Sequence, residues 1–320
     1  MALDHFVPQV HLKQFLSPAL GGRQLFGIRK SDLLQFPCGT RDVCRIEDGN
    51  SNKFLIEPRL IEEFLRSVEP KYDIALRDLR DKKISTETIY VIAGFAAAVS
   101  ACAPASMRIG APSVEKVVEA TSRIMDRNGA LPVAPDSLGG KTLTELIEEG
   151  AVKINIDEKF LQAIGIAGAL HRVSGFGNAD WAILRNPFDD SPYFTSDFPV
   201  AVHEVGGRFG RLLPLAPDLA VAVFADPAYR KKIDLSFSGN RRVFSTVSRD
   251  VVRKINQDIV RSAESAVFFR DDFDWIPGFV ANNARYRIEF VPEHIEVPRG
   301  IVTKATTKIV PWRTNEDDQS

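Results

Sequence analysis

Three polar residues that could do chemistry, Thr195, Ser196 and Asp197, stand side by side in the aromatic and apolar stretch YFTSDFPV at residues 193–200. A polar group that is buried without a hydrogen-bond partner costs roughly 1–3 kcal/mol. Each of these side chains must therefore be paired inside the fold or be kept free for chemistry. Pro199 biases the residue before it to extended backbone, which fixes the direction of this corner.

Asp197 has the widest chemical range of the three. Its carboxylate can act as a general base, ligate a metal or pair with a histidine. The alternative is an Asx-type turn, in which the carboxylate accepts local backbone N–H groups. Thr195 and Ser196 likewise either bind an anion through hydroxyl and backbone donors or only satisfy a turn. The residue types alone leave both interpretations open.

His5 and Glu57 are the residues that the fold could bring to Asp197. An imidazole titrates near pH 6.5, so His5 can act as a base or hydrogen-bond a carboxylate. The alternative is that His5 caps the helix after Pro8 or ties down the N-terminus. We predict an enzyme in which His5, Asp197 and Glu57 are catalytic, with acid–base hydrolysis of a nucleic acid or nucleotide as the reaction.

The competing prediction is a non-catalytic binding or interaction module, in which the same residues form a structural latch. Several enzyme classes have no support in the sequence, because it contains neither a Gly-x-Ser-x-Gly elbow nor a P-loop. His203-Glu204 has no second histidine at helical spacing, so we predict no metal site there. The sequence leaves the cofactor and the ligand undefined.

The charges nearly cancel, with 41 basic and 42 acidic residues and a net charge of −1. No global field therefore attracts nucleic acid or an anionic membrane. A local basic face is possible where Arg249, Arg253 and Lys254 follow one another at i, i+4 and i+5. That face either contacts phosphate or is the solvated side of an amphipathic helix.

Cysteine usage and the absence of an apolar leader predict a cytoplasmic protein. Cys38, Cys44 and Cys102 form no pairing pattern, which suits a reducing compartment. The first residues contain no apolar signal segment. The apolar run 89–105 is shorter than the roughly 20 residues that a membrane span needs, so we expect no association with membranes.

Hydrophobic periodicity predicts an α+β fold, in which a helical half packs on a β-rich half. The mainly helical half is 1–178, and the β-rich half is 179–313 with one late amphipathic helix at 248–267. We predict a single large domain over 1–313, followed by a disordered tail at 314–320.

Local patterns add four expectations. Residues 36–53 are rich in Gly, Pro and Asn and predict an exposed loop, whereas the Ala-rich run 86–103 predicts a buried helix. Gly206-Gly207 predicts a hairpin turn. Gly165 and Gly168, spaced as Gly-x-x-Gly inside a helix, indicate close packing between helices.

Several motifs, taken in order over about residues 5–270, resemble the DUF 4238 family, a domain of unknown function. They are His5-Phe6-Val7-Pro8-Gln9 with Leu12-Lys13-Gln14-Phe15, Thr195-Ser196-Asp197-Phe198-Pro199, Leu213-Pro214-Leu215-Ala216-Pro217, and Asn256 with Ala263. The family usually has an aromatic residue where His11 stands, so we expect His11 not to be an essential base.

The resemblance implies a soluble, mainly microbial protein and supplies no reaction. It adds Gln9, Lys13 and Asn256 to Thr195 and Ser196 as predicted binding residues. Asn256 lies next to the apolar stripe of the late helix, so its amide can point inward and orient the corner by hydrogen bonds.

Overall fold

Helices dominate the first half of the chain and strands the second, which confirms the predicted α+β class. The computed structural model describes residues 3–226, 232–297 and 300–312. The helices are α1 (Gln9–Leu12), α2 (Leu60–Arg66), α3 (Tyr72–Asp81), α4 (Thr86–Cys102), α5 (Pro104–Arg127), α6 (Leu143–Glu148), α7 (Glu158–Ala167), α8 (Ala169–Gly177), α9 (Arg249–Ser262) and α10 (Trp275–Ala281).

The strands lie mainly after residue 179. They are β1 (Leu3–His5), β2 (Gln24–Arg29), β3 (Gln35–Gly39), β4 (Arg45–Glu47), β5 (Asp180–Arg185), β6 (Thr195–Ser196), β7 (Ala201–Val205), β8 (Arg208–Ala216), β9 (Leu219–Phe224), β10 (Arg241–Thr246), β11 (Ala266–Phe269), β12 (Tyr286–Val297) and β13 (Gly300–Pro311). The tail predicted at 314–320 lies outside the described residues.

A five-stranded sheet in the order β10-β5-β9-β8-β7 lies between the helices of the first half and α9. Side chains alternate along β9, as strand geometry requires. Leu219, Val221 and Val223 pack in the core that contains α3 and α4, whereas Ala220 and Ala222 pack in the core that contains α9. Both faces of the sheet are therefore buried at β9, whereas the edge strand β10 is exposed along its length.

Helix α4 is buried along nearly its whole length. A capping box between Ser85 and Thr88 starts it, and Pro104 follows as the first residue of α5. A Cβ atom added at Gly165 of α7 would lie 3.0 Å from the Cα atom of Ala101. The predictions of a buried helix here and of close helix packing at Gly165 are thus confirmed.

Helix α9 ends at Ser262, so the predicted helix 248–267 is too long at its C-terminal end. Ala263 turns to extended backbone with ψ of 139°. The next three backbone N–H groups donate to the carboxylate of Asp197 instead of to helix carbonyls. Because the chain leaves the helix here, its last predicted residues form strand β11.

The first residues contribute to two small sheets, of which only the four-stranded one includes strands of the second half. β1 pairs antiparallel with β4, and a four-stranded sheet has the order β3-β2-β11-β6. The exposed loop predicted at 36–53 is therefore wrong in part, because β3 and β4 lie within it. Cys38 and Cys44 are buried beside Leu12 and Phe15, and this apolar contact outweighs the turn-forming residues around them.

Gly206 and Gly207 form the two-residue turn between β7 and β8, in which Val205 pairs with Arg208. Their φ angles are +57° and +75°, which glycine adopts without steric cost. The predicted hairpin is confirmed.

In the described part of the chain, no single helix has both the length and the apolar character needed to cross a bilayer. One pair of helical stretches, Leu60–Asp81 and Thr86–Cys102, meets that criterion jointly, with a bend of 118° between them.

Candidate functional site at the Thr195–Asp197 corner

Thr195 lies at the centre of a buried chain of hydrogen bonds that crosses the fold. Its Oγ1 atom is 2.7 Å from Nε2 of His11 on α1. The other ring nitrogen of His11, Nδ1, is 2.9 Å from the hydroxyl of Tyr72 on α3. All three residues have 0% exposure. The hydroxyl of Thr195 therefore joins the corner to both α1 and α3.

His11 is held as a neutral imidazole. Burial lowers its pKa from 6.5 to about 3, since a charged ring would lose its hydration. The ring stacks on Phe95 of α4 with centroids 4.7 Å apart. A neutral ring donates from one nitrogen and accepts at the other, which matches two hydroxyl partners. The expectation that His11 is not an essential base stays a prediction.

Ser196 and Asp197 are bonded to backbone groups. Oγ of Ser196 accepts the N–H of Phe198 at 3.1 Å. Oδ1 of Asp197 accepts the N–H of Glu264 at 2.9 Å, and Oδ2 accepts those of Ser265 at 2.6 Å and Ala266 at 3.1 Å. The carboxylate thus holds the segment that follows α9.

The charge on Asp197 is balanced locally. Asp197 is 8% exposed, and burial raises its pKa to about 6, while the three N–H donors and Lys30 oppose that rise. Nζ of Lys30 donates to the carbonyls of Ala263 at 2.6 Å and Tyr286 at 2.8 Å. Burial lowers the pKa of Lys30 to about 8, and the nearby carboxylates of Asp197 and Glu264 counteract this effect.

Arg108 fixes the outer side of the same segment. Its guanidinium makes a bidentate pair with Glu264, in which both N–O distances are 2.7 Å. It also donates to the carbonyl of Ile288 at 2.9 Å and lies 3.1 Å from Glu289. The residues after α9 are therefore held by Asp197 on one side and by α5 on the other.

Asn256 on α9 fixes the segment that leads into the corner. Its Oδ1 atom accepts the N–H of Phe194 at 3.0 Å, and its Nδ2 atom donates to the carbonyl of Pro192 at 2.8 Å. The prediction that its amide points inward and orients the corner agrees with these bonds. The side chain is 1% exposed.

His5 is placed on β1, opposite Arg45 of β4. Its Nδ1 atom is buried without a hydrogen-bond partner, and burial lowers its pKa. Glu57 is exposed before α2. Within the described residues, no hydrogen bond or ion pair joins either side chain to Asp197, so the structure does not bring the predicted catalytic set into contact.

Gln9 and Lys13, predicted to bind a ligand, face other parts of the molecule. Oε1 of Gln9 accepts the hydroxyl of Thr40 at 3.3 Å. Lys13 is exposed on the turn after α1. Among the predicted binding residues, the contacts above link Thr195, Ser196 and Asn256 to one corner and leave these two outside it.

A cavity of about 310 Å³ opens beside Asp197. Its wall combines parts of the N-terminal motif, the corner and the segment after α9, namely Phe6, Arg45, Pro104, Asp197, Glu264 and Phe268. Across the described ranges, no group of three or more His, Cys, Asp or Glu side chains is arranged to hold a metal ion. The cavity is large enough for a small ligand, and two acids, Asp197 and Glu264, lie in its wall.

His11, Tyr72 and Lys30 are the site residues that sequence reasoning missed. His11 stands between Val10 and Leu12 on a short apolar helix, and a histidine on an apolar face is typically a buried, hydrogen-bonded one. That signal was available in the sequence. Lys30 donates to two backbone carbonyls. Every residue has a backbone carbonyl, so the sequence does not indicate which ones bind this lysine.

Comparison with known proteins identifies the family. A family model described as "Protein of unknown function (DUF4238)" matches residues 4–273. That range includes His5, the Thr195–Asp197 corner and Asn256. Neither the curated proteins nor the solved structures contain a match to the chain. Because the family model covers most of the sequence, the chain belongs to the DUF4238 family.

Proposed function

We propose that this chain is a non-catalytic binding or interaction module, in which residues 195–197 form a structural latch. The observation that carries the proposal is the pairing of Asp197, whose two carboxylate oxygens accept three backbone N–H groups. A general base needs an oxygen directed at a substrate. Here both oxygens are directed at the protein's own backbone.

The latch connects three parts of the chain. Thr195 binds His11 of α1, Asp197 binds the segment after α9, and Asn256 binds the segment before the corner. Hydrogen bonds to a charged group contribute about 1.5–3 kcal/mol each when buried. In this proposal the latch stabilises the fold and takes part in no reaction. The ligand then binds at a site other than the corner.

The proposal is tested by replacing Asp197 with asparagine. Asparagine replaces one of the two accepting oxygens with an NH2 group, which cannot accept a hydrogen bond from the backbone N–H groups. Asp197→Asn should therefore lower the free energy of unfolding by about 2–4 kcal/mol. The matched control is Glu57→Gln, the same chemical change at an exposed acid, which should change it by less than about 0.5 kcal/mol. Urea unfolding followed by circular dichroism measures both. Unchanged stability in Asp197→Asn would refute the latch.

The second candidate is the predicted acid–base hydrolase, with Asp197 as the base. Two observations favour it, namely that Asp197 borders the 310 Å³ cavity and that its pKa is raised to about 6. A base poised near neutral pH suits hydrolysis. A screen of the parent protein against nucleotides and single- and double-stranded nucleic acids distinguishes the candidates. Activity that Asp197→Asn abolishes at temperatures where the variant stays folded would favour the enzyme.

A further inference from the structure

A larger cavity, of about 660 Å³, lies between the sheet and the helices α5 and α8, away from the corner. Its wall is largely apolar and includes Ile109, Phe176, Phe198 and Val223. This volume is within the range of ligand pockets, about 300–1,000 Å³. Neither Asp197 nor its backbone partners line the cavity.

Arg211 on β8 lines this cavity, and one nitrogen of its guanidinium has no hydrogen-bond partner among the residues that the structure describes. It faces the helical layer, because it alternates with Leu212 and shares the face of Leu213. The residues directly opposite on the neighbouring strands are Val202 and Val223. Its Nη1 atom is buried and unbonded in the described part of the structure. Burial lowers the pKa of Arg211 to about 10, so the guanidinium is still charged at neutral pH.

Two other donors share the cavity. Oγ1 of Thr306 on β13 is also buried without a hydrogen-bond partner among the described residues. Arg172 on α8 donates a hydrogen bond from Nη1 to the carbonyl of Gly165. No Asp or Glu is among the lining residues in the described ranges. The cavity thus contains positive charge and free hydrogen-bonding capacity on an apolar wall.

We infer that this cavity binds an amphiphilic organic anion, a carboxylate on an apolar body, through the guanidinium of Arg211 and the hydroxyl of Thr306. Arg211 as a whole is partly exposed, but its buried Nη1 atom needs a hydrogen-bond partner, and the described residues that line the cavity provide no acid for it. A planar guanidinium matches a carboxylate by two parallel hydrogen bonds. The apolar wall matches the rest of the ligand.

The inference goes beyond the latch, since it concerns a different cavity and would stand if Asp197 proved catalytic. One of the two residues on which it rests, Thr306, lies outside the residues 4–273 that match the family.

Calorimetric titration of the full chain with decanoate tests the inference. Decanol, which has the same apolar body without the charge, and inorganic phosphate, which has charge without the body, are the control probes. Decanoate should bind saturably and raise the melting temperature, and both controls should bind at least roughly tenfold more weakly.

Three variants assign that binding to the cavity. Arg211→Met should weaken decanoate binding by at least about tenfold, while its melting temperature without ligand stays equal or rises, because a partly buried charge with an unbonded donor is removed. Arg77→Met, at an exposed arginine of α3, should bind as the parent does. Gly175→Leu adds a side chain where nothing lies within 4 Å of the new Cβ, so it should fill the cavity and abolish binding while the protein stays folded.

Three results would overturn the inference. One is the absence of saturable decanoate binding to the parent at millimolar concentrations. Another is equal affinity in the parent and Arg211→Met. The third is equal affinity for decanol and decanoate, which would make the cavity an apolar hole without an anion site.

Discussion

Replacing His11 with phenylalanine should change how the stability of the protein depends on pH. The imidazole is fully buried and its pKa is about 3 in the folded chain, against about 6.5 when unfolded. As the pH falls below 6.5, His11 binds a proton in the unfolded state but stays neutral in the folded state. Stability contributed by neutral His11 is therefore complete above pH 6.5 and declines as the pH falls toward 3.

The magnitude follows from the two pKa values. Each pH unit in this window costs about 1.4 kcal/mol, so the parent should lose roughly 2 kcal/mol between pH 7.5 and pH 5 through His11 alone. His11→Phe keeps the stack on Phe95 but leaves the hydroxyls of Thr195 and Tyr72 unpaired. It should therefore be about 1–3 kcal/mol less stable than the parent at pH 7.5.

Urea unfolding at several pH values between 5 and 7.5 measures both effects. The stability gap between the parent and His11→Phe should shrink by roughly 2 kcal/mol as the pH is lowered. Tyr72→Phe is the matched control, because it removes a partner of the imidazole but keeps the titrating ring, so its gap to the parent should stay nearly constant with pH. A constant gap for His11→Phe as well would refute the assignment of His11 as a buried neutral ring.

Other substitutions test the packing and the clamps, all by urea unfolding at neutral pH. Gly165→Ala should destabilise the protein by about 1–3 kcal/mol, because its Cβ atom would lie 3.0 Å from the Cα atom of Ala101. Gly175→Ala, in open space on the next helix, should stabilise the protein by about 0.5–1 kcal/mol. Equal effects of the two substitutions would contradict the packing argument. Asn256→Ala should cost about 2–4 kcal/mol, because two buried backbone groups lose their partners, and a cost below about 0.5 kcal/mol would exclude the clamp. Ser85→Ala should cost about 0.5–2 kcal/mol through loss of the capping box, and no loss would contradict the cap.

The regular elements were the predictable part of this molecule. The α4 run, the hairpin at Gly206-Gly207 and the packing of Gly165 each follow from a local rule of periodicity or glycine geometry. The end of α9 did not follow, since periodicity continues past Ser262. It is set by Asp197, a residue 65 positions earlier than Ser262 in the sequence, which captures the next three N–H groups.

The partners within the site were harder to predict, for a physical reason. Motif reasoning paired Asp197 with His5, because side chains of complementary chemistry suggest each other. The carboxylate instead pairs with backbone donors, which every residue except proline carries, so no residue type marks them. His11 was the available histidine for the corner, and its apolar surroundings were the signal. The sequence likewise does not mark Arg211, because the residues opposite it in the sheet, Val202 and Val223, are known only from the structure.

Amide hydrogen exchange at residues 264–266 tests the latch most directly. These three N–H groups donate to Asp197, and hydrogen-bonded buried amides exchange slowly. We predict that they are protected in the parent protein, and that Asp197→Asn loses this protection locally while α4 keeps its own. Rapid exchange of these amides in the parent would show that the carboxylate of Asp197 is free, and would contradict the structural latch.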